Sequence, residues 1–359
     1  MKTNQLILAV AALAVFASCS NDNLKITETV DNEIGFNAVT RMATRANDAI
    51  ITGATYGTEN TFQVWGWQSQ AGDYSEFADN AASNFMSNLT ISYCGGAKNL
   101  ADAWRNAEKH YYWPYTGRIS FLAIHPSTVA PSTTGWDATN DVPQATIADY
   151  TITPASNETV DLMFATNDGA RQVAALPMIF KHALSQIEVK VKTDEDYSTD
   201  EVVFDVESVT FNNIDLSGDV AYSNNAIAWT DNTAQTQNWV YCNTVLENIN
   251  DTYQVYGAAK VNIPQPANDD KSILAVDDPN YDADDEGATL TIGYSMKQGA
   301  NAKITGTVTI ADPFLSNEAN AWEPGKKYSY TINFRLNEIL FNPSVTEWVN
   351  VNVETINIY

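Results

Sequence analysis

The chain has 359 residues, with 44 acidic side chains against 19 basic ones and a formal net charge of −25 at pH 7. Apolar residues at 44% and aromatics at 11% supply a sizeable core, which excludes wholesale disorder. The scarcity of Lys and Arg excludes the broad basic surface that nucleic acids require, so no nucleic-acid partner is expected.

The amino terminus reads as an export signal. Lys2 is followed by the apolar run Leu6–Phe16 and then by Ala17-Ser18-Cys19. A basic start, an apolar stretch and small residues before a cut describe a signal peptide over residues 1–18. The run is too short to cross a bilayer, which takes about 20 residues. The junction resembles the bacterial lipobox, in which Cys19 is lipidated (palmitate among the acyl chains) and becomes the first residue. The polar Ser20–Asn23 then reads as a solvated tether, and the expectation is an outer-membrane lipoprotein precursor.

Downstream, strand signals dominate. Glu33–Thr40 places Ile34, Phe36 and Ala38 on one side of a strand, with Arg41 and Arg45 just beyond it. Thr61–Trp67 alternates imperfectly but is rich in strand-favouring aromatics. Leu100, Trp104 and Ala107 share one face of a predicted short helix over 99–110. Arg118–Ile124 reads as a strand stopped by Pro126, and Pro126–Asn140 as a turn-rich stretch. Asn167–Gln172, between two apolar runs, is the predicted boundary dividing a domain over 46–170 from one over 171–359. Ile187–Val191, Thr289–Ile292, Lys303–Ile310 and Tyr328–Phe334 alternate cleanly, as half-buried strands should. Many short strands at this spacing imply β-sandwiches or barrels.

The last residues form a further alternating run. Val349, Val351 and Val353 alternate with Asn350 and Asn352, then the phase shifts so that Ile356 and Ile358 fall on the opposite parity. A bulge near Glu354–Thr355 restores one face; alternatively one strand ends near Glu354 and another begins at Thr355. Such a segment either closes its own domain as an edge strand or adds to the open sheet of a neighbour.

Signals for chemistry are weak. His110, His125 and His182 lie far apart, without H-x-x-x-H spacing, and neither a nucleophile elbow nor a Walker loop is present. Cys94 and Cys242 read as buried or free thiols, and Asp194 with Asp196 is too ordinary a pair in this composition to nominate a glycosidase. The acidic run Asp278–Gly287 departs from the EF-hand pattern, with Ala283 where glycine is needed and Thr289 where the closing glutamate belongs. It reads as a solvated loop, with weak calcium binding as the other reading. Trp65, Trp67, Trp104, Trp113 and Trp136 are either core residues or stacking platforms for sugars. No catalytic residue, metal or cofactor is assigned, and the chain is not read as an enzyme.

Several segments taken in order resemble the Bacteroidales fimbrillin family, the type V pilins and their adhesin-like relatives. They are Ile34-Gly35-Phe36 with Thr40-Arg41 and Thr44-Arg45-Ala46, Val64–Trp67, Tyr112-Trp113-Pro114 and Phe121–Pro126. Asp161–Ala165, Leu176–Ile187, Trp322–Tyr330 and Pro343–Trp348 follow. The resemblance implies two β-sandwich domains of transthyretin-like topology after a cleavable segment, residues 19–45. It implies an arginine-specific protease cutting at Arg45–Ala46, with Arg41–Met42 as second choice, and loss of the strand carrying Ile34, Phe36 and Ala38. The groove so emptied would accept a donor strand carrying Val349, Val351, Val353, Ile356 and Ile358 from another subunit. The implied partners are other fimbrial subunits, the protease, the outer membrane through the lipid, and a host or bacterial surface receptor. The competing reading is a surface lipoprotein that stays acylated, does not polymerise, and binds glycan or another ligand.

Overall fold

The computed structural model describes residues 32–40, 56–71, 73–95, 104–152, 160–171, 174–231, 236–264, 288–311, 322–335 and 339–347. The fold is all-β. The first half contributes β1 (Phe36–Thr40), β2 (Phe62–Ser69), β3 (Met86–Tyr93), β4 (Trp104–Arg105), β5 (Arg118–His125), β6 (Thr133–Asp137), β7 (Val142–Thr151), β8 (Met163–Ala170) and β9 (Leu176–His182). The middle contributes β10 (Ser185–Thr193), β11 (Val202–Asp215), β12 (Ser217–Ser223), β13 (Ala226–Asp231), β14 (Thr236–Cys242), β15 (Leu246–Ile249), β16 (Gln254–Val255) and β17 (Lys260–Asn262). The end contributes β18 (Thr289–Gln298), β19 (Ile304–Ala311), β20 (Lys326–Phe334) and β21 (Ile339–Glu347). Among the described residues a short α-helix, α1 (Tyr74–Ala78), is capped by the Asp73 carboxylate, which accepts from the Ser75 amide at 3.0 Å.

Seven strands close a barrel in the order β1-β4-β3-β2-β5-β8-β9, with β9 pairing back to β1. Phe62, Val64, Ile119, Phe121 and Ala123 fill its interior, while Trp65, Trp67, Leu122 and Ile124 on the same two strands belong to a second core outside it. Burial on both faces explains why Thr61–Trp67 alternates poorly: neither face of β2 is left for polar residues.

That outer core lies beneath a four-stranded sheet, β13-β12-β7-β6. Trp136 of β6 stacks on Phe77 of α1 at 4.7 Å, and Tyr222 of β12 stacks on Phe164 of β8 at 5.0 Å. The remaining strands form two further sheets, one ordered β16-β10-β20-β21 with β17 on β10, the other β14-β11-β18-β19 with β15 on β11. These face each other as a sandwich, Phe334 meeting Phe204 at 5.8 Å and Tyr330 meeting Phe211 at 5.4 Å.

Strand pairing runs across residue 170. β9 follows it yet pairs with β8 and β1, and β12–β13 return from the second half to extend the sheet of β6 and β7. The passage from barrel to sandwich falls at Ala183–Leu184, between β9 and β10.

Two local expectations are corrected. The predicted helix over 99–110 is not formed among its described residues: Trp104 is a barrel strand residue, opposite Tyr93 on β3 and Phe36 on β1. Burial of its indole in the barrel outweighs the weak helical spacing, and Asn106 then turns the chain by accepting from the Glu108 and Lys109 amides. Within the turn-rich stretch 126–140, Thr133–Asp137 forms β6.

The five tryptophans of the first half are all buried, so none offers a face for a sugar. Replacing Trp136 with Ala removes the ring that joins α1 to the outer core. The change should lower unfolding stability in urea by about 3–5 kcal/mol, with little change in m-value.

Candidate functional site: the place of the first strand in the barrel

β1 is the seam of the barrel. It runs parallel to β9 with Phe36 opposite Leu176 through Thr40 opposite Phe180, and meets β4 through Phe36 and Trp104. Ahead of it the chain is already docked. The Ile34 amide donates to the Tyr111 carbonyl at 2.7 Å, the Trp113 amide to the Asn32 carbonyl at 2.8 Å, and the Leu176 amide to the Gly35 carbonyl at 2.8 Å.

Its inner residues are core. Ile34, Phe36 and Ala38 are at most 2% exposed, whereas Asn37 between them faces solvent. The Phe36 ring meets Phe121 edge-on at 5.2 Å and Phe62 at 6.1 Å. Removing β1 from this arrangement would uncover those rings together with two sheet edges, those of β4 and β9.

A charged contact that the sequence did not reveal sits at the start of β1. Glu33 is buried, with Oε2 3.3 Å from Arg105 Nη1 and Oε1 2.5 Å from His110 Nδ1. Arg105 is itself buried, so the pair is withheld from water and each charge depends on the other. Nothing local marks it, since Glu33 and Arg105 are 72 residues apart in the chain.

A second polar group lies where β9 and β5 end. The Tyr56 hydroxyl donates to the Thr61 carbonyl at 3.0 Å, and His125 Nδ1 lies 2.9 Å from that carbonyl and 2.5 Å from the hydroxyl. The Tyr56 ring stacks on Phe180 of β9 at 5.1 Å. His182, closing β9, meets Asp161 at 2.6 Å, both buried. These histidines serve the architecture. Asp194 accepts from the Tyr197 hydroxyl at 2.5 Å and Asp196 from the Ser198 amide at 2.9 Å, local contacts of a turn. Cys94 and Cys242 are free thiols, and no cluster able to hold a metal occurs among the described residues.

Among the described residues, β21 ends its sheet. β21 pairs antiparallel with β20, from Ile339 opposite Phe334 to Glu347 opposite Lys326. Cys19, Arg41, Met42, Arg45, Ala46, the acidic run 278–287 and the residues Val349, Val351, Val353, Ile356 and Ile358 lie outside the described residues.

A model of the fimbrillin-like family matches residues 40–348. The chain belongs to that family. The matched span opens on the last residue of β1 and closes one residue after β21. This fimbrillin-like chain is 20% identical over 393 aligned positions to fimbrium subunit Fim1C of Phocaeicola vulgatus, both chains being covered completely. The crystal structure of a fimbrial protein from Bacteroides vulgatus superposes with a TM-score of 0.58 at 16% identity. That superposition covers 88% of this chain and 99% of the other, and the likeness is one of fold.

Two measurements test the site as described. Phe36→Ala should destabilise the full chain by about 3–5 kcal/mol, whereas the exposed Asn37→Ala should stay within about 0.5 kcal/mol. The second concerns His125, whose burial holds it below its ordinary value of 6.5 against a weaker upward pull from Thr61 and Asp161. The unfolded chain therefore takes up the proton first. Stability is complete above pH 6.5 and falls as the pH drops toward the depressed folded value. His125→Gln should flatten that fall in denaturant titrations at successive pH values, and an unchanged slope would remove His125 as its source.

Proposed function

We propose that the chain is a structural and adhesive subunit of a surface fimbria, exported as a precursor lipidated on Cys19 and assembled by strand exchange. An arginine-specific protease cuts at Arg45–Ala46, or failing that at Arg41–Met42. Segment 349–359 of one subunit then takes the place of β1 in the next. The role is non-catalytic, and adhesion to a host or bacterial surface is its second part.

The observation that carries the reading is the position of β1. It closes a barrel and is followed at once by the first of two arginines in a chain that has only 19 basic residues. A cut at either arginine leaves β1 held by non-covalent contacts alone. Its buried apolar side chains contribute about 1.5–3 kcal/mol each for the larger ones, an amount that a longer apolar strand can match. Family membership and the likeness to a fimbrium subunit support the same reading.

Charge is consistent with it. Residues 1–45 hold four basic and four acidic side chains, so the cut chain stays near −25. Subunits of that charge repel, and contacts must then come from apolar burial and backbone pairing.

Deleting Val349–Tyr359 should leave a folded monomer and abolish polymers once the chain is cut, as read by size-exclusion chromatography and electron microscopy. Polymers of ordinary length from the truncated chain would remove strand exchange from the account.

A further inference from the structure

Glu33 is the sole charged residue between Asn32 and Thr40, and it lies on Arg105 and His110 at the start of the seam. An arginine does not shed its proton in a protein. A strand that replaces β1 and covers Arg105 again must therefore bring a carboxylate, or leave a buried cation without a partner. Residues 348–359 contain one acid, Glu354.

The spacing around these two acids matches in one direction only. Going forward from Glu33, the inner residues Ile34, Phe36 and Ala38 stand one, three and five positions away. Going backward from Glu354, Val353, Val351 and Val349 stand at the same three offsets. Going forward, those offsets fall on Thr355, Asn357 and Tyr359.

We infer that the tail of a neighbouring subunit enters the groove in the direction opposite to β1. Its Glu354 meets Arg105 and His110, and Val353, Val351 and Val349 take the places of Ile34, Phe36 and Ala38. The inference rests on the strand-exchange reading above and adds a direction, a register and a recognising charge to it.

Backbone pairing favours the reversal. The long ladder of β1 is the parallel one with β9, and a reversed strand turns it antiparallel, the slightly more stable arrangement per residue. The pairings that become parallel are the short ones, the single pair of Phe36 with Trp104 and the isolated bridge of Glu33 with Tyr112. Asn350 then occupies the exposed place of Asn37, while Asn352 brings a polar side chain to the buried place of Gly35, where the groove has to make room and supply a partner for its amide.

The test uses the full chain cut by an arginine-specific protease, with assembly followed by light scattering. Glu354→Lys, at a position outside the described residues, should slow assembly by roughly tenfold or more, while Glu354→Asp should keep most of the rate. Direction is read by intersubunit disulfides in a background with Cys94 and Cys242 changed to Ser. Because Pro177 stands opposite Asn37, Asn350→Cys should cross-link with Pro177→Cys. Insertion in the direction of β1 would instead place Asn352→Cys there. A cross-link from position 352, or assembly by Glu354→Lys at the unaltered rate, overturns this inference and leaves strand exchange standing. Failure of the unaltered cut chain to assemble overturns both.

Discussion

The pairing of β1 with β9 is the contact on which the first half of the molecule depends. A barrel has no edge strands as long as every stave is present. Here the closing stave comes from the extreme amino-terminal side of the described chain, and its inner residues are the packing partners of Phe62 and Phe121. The outer core is spared this dependence. Trp67, Leu122 and Phe164 pack under the sheet of β6, β7, β12 and β13, which shares no strand with the barrel seam. Opening the seam would therefore expose one core and leave the other covered.

Several of the described cations are spent locally. Lys190 and Lys327 flank Glu188, and Lys303 reaches both Asp205 and Glu207. Burial alone would push the Glu188 carboxyl up, but hydrogen bonds from Lys190 and Ser329 and the charge of Lys327 hold it at about 2. With 44 acids against 19 basic residues, the surface offers a neighbour of like charge little electrostatic welcome. Under the proposed strand exchange, association between copies would have to rest on burial and on backbone hydrogen bonds, which a barrel without β1 would offer.

Much of this was legible in the sequence because alternation is a local signal. The inner face of β1, the strands at 187–191, 289–292, 303–310 and 328–334, and the all-β class follow from period-two patterning. What was missed is non-local. The spacing of Leu100, Trp104 and Ala107 carried no information that Trp104 faces Phe36 across the seam, and a two-residue strand is too short to show a period. β9 lies past residue 170 yet pairs with β8 and β1, a link that no local pattern displays. The Glu33–Arg105 contact joins positions 72 apart, and an acid in a chain rich in acids draws no notice.

Apolar alternation gives a strand its face but not its register. A shift of two residues along β9 returns apolar side chains to the same inner face, so burial by itself discriminates poorly between registers two apart. The Glu33 carboxylate removes that degeneracy. A slip by two would draw it off Arg105 and leave a buried cation beside an exposed acid, a far larger penalty than the loss of one small side chain such as Ala38. Affinity and register thus come from different chemistry within one short segment: the aromatic and aliphatic residues hold β1 in the barrel, and one ion pair decides where along the seam it stops.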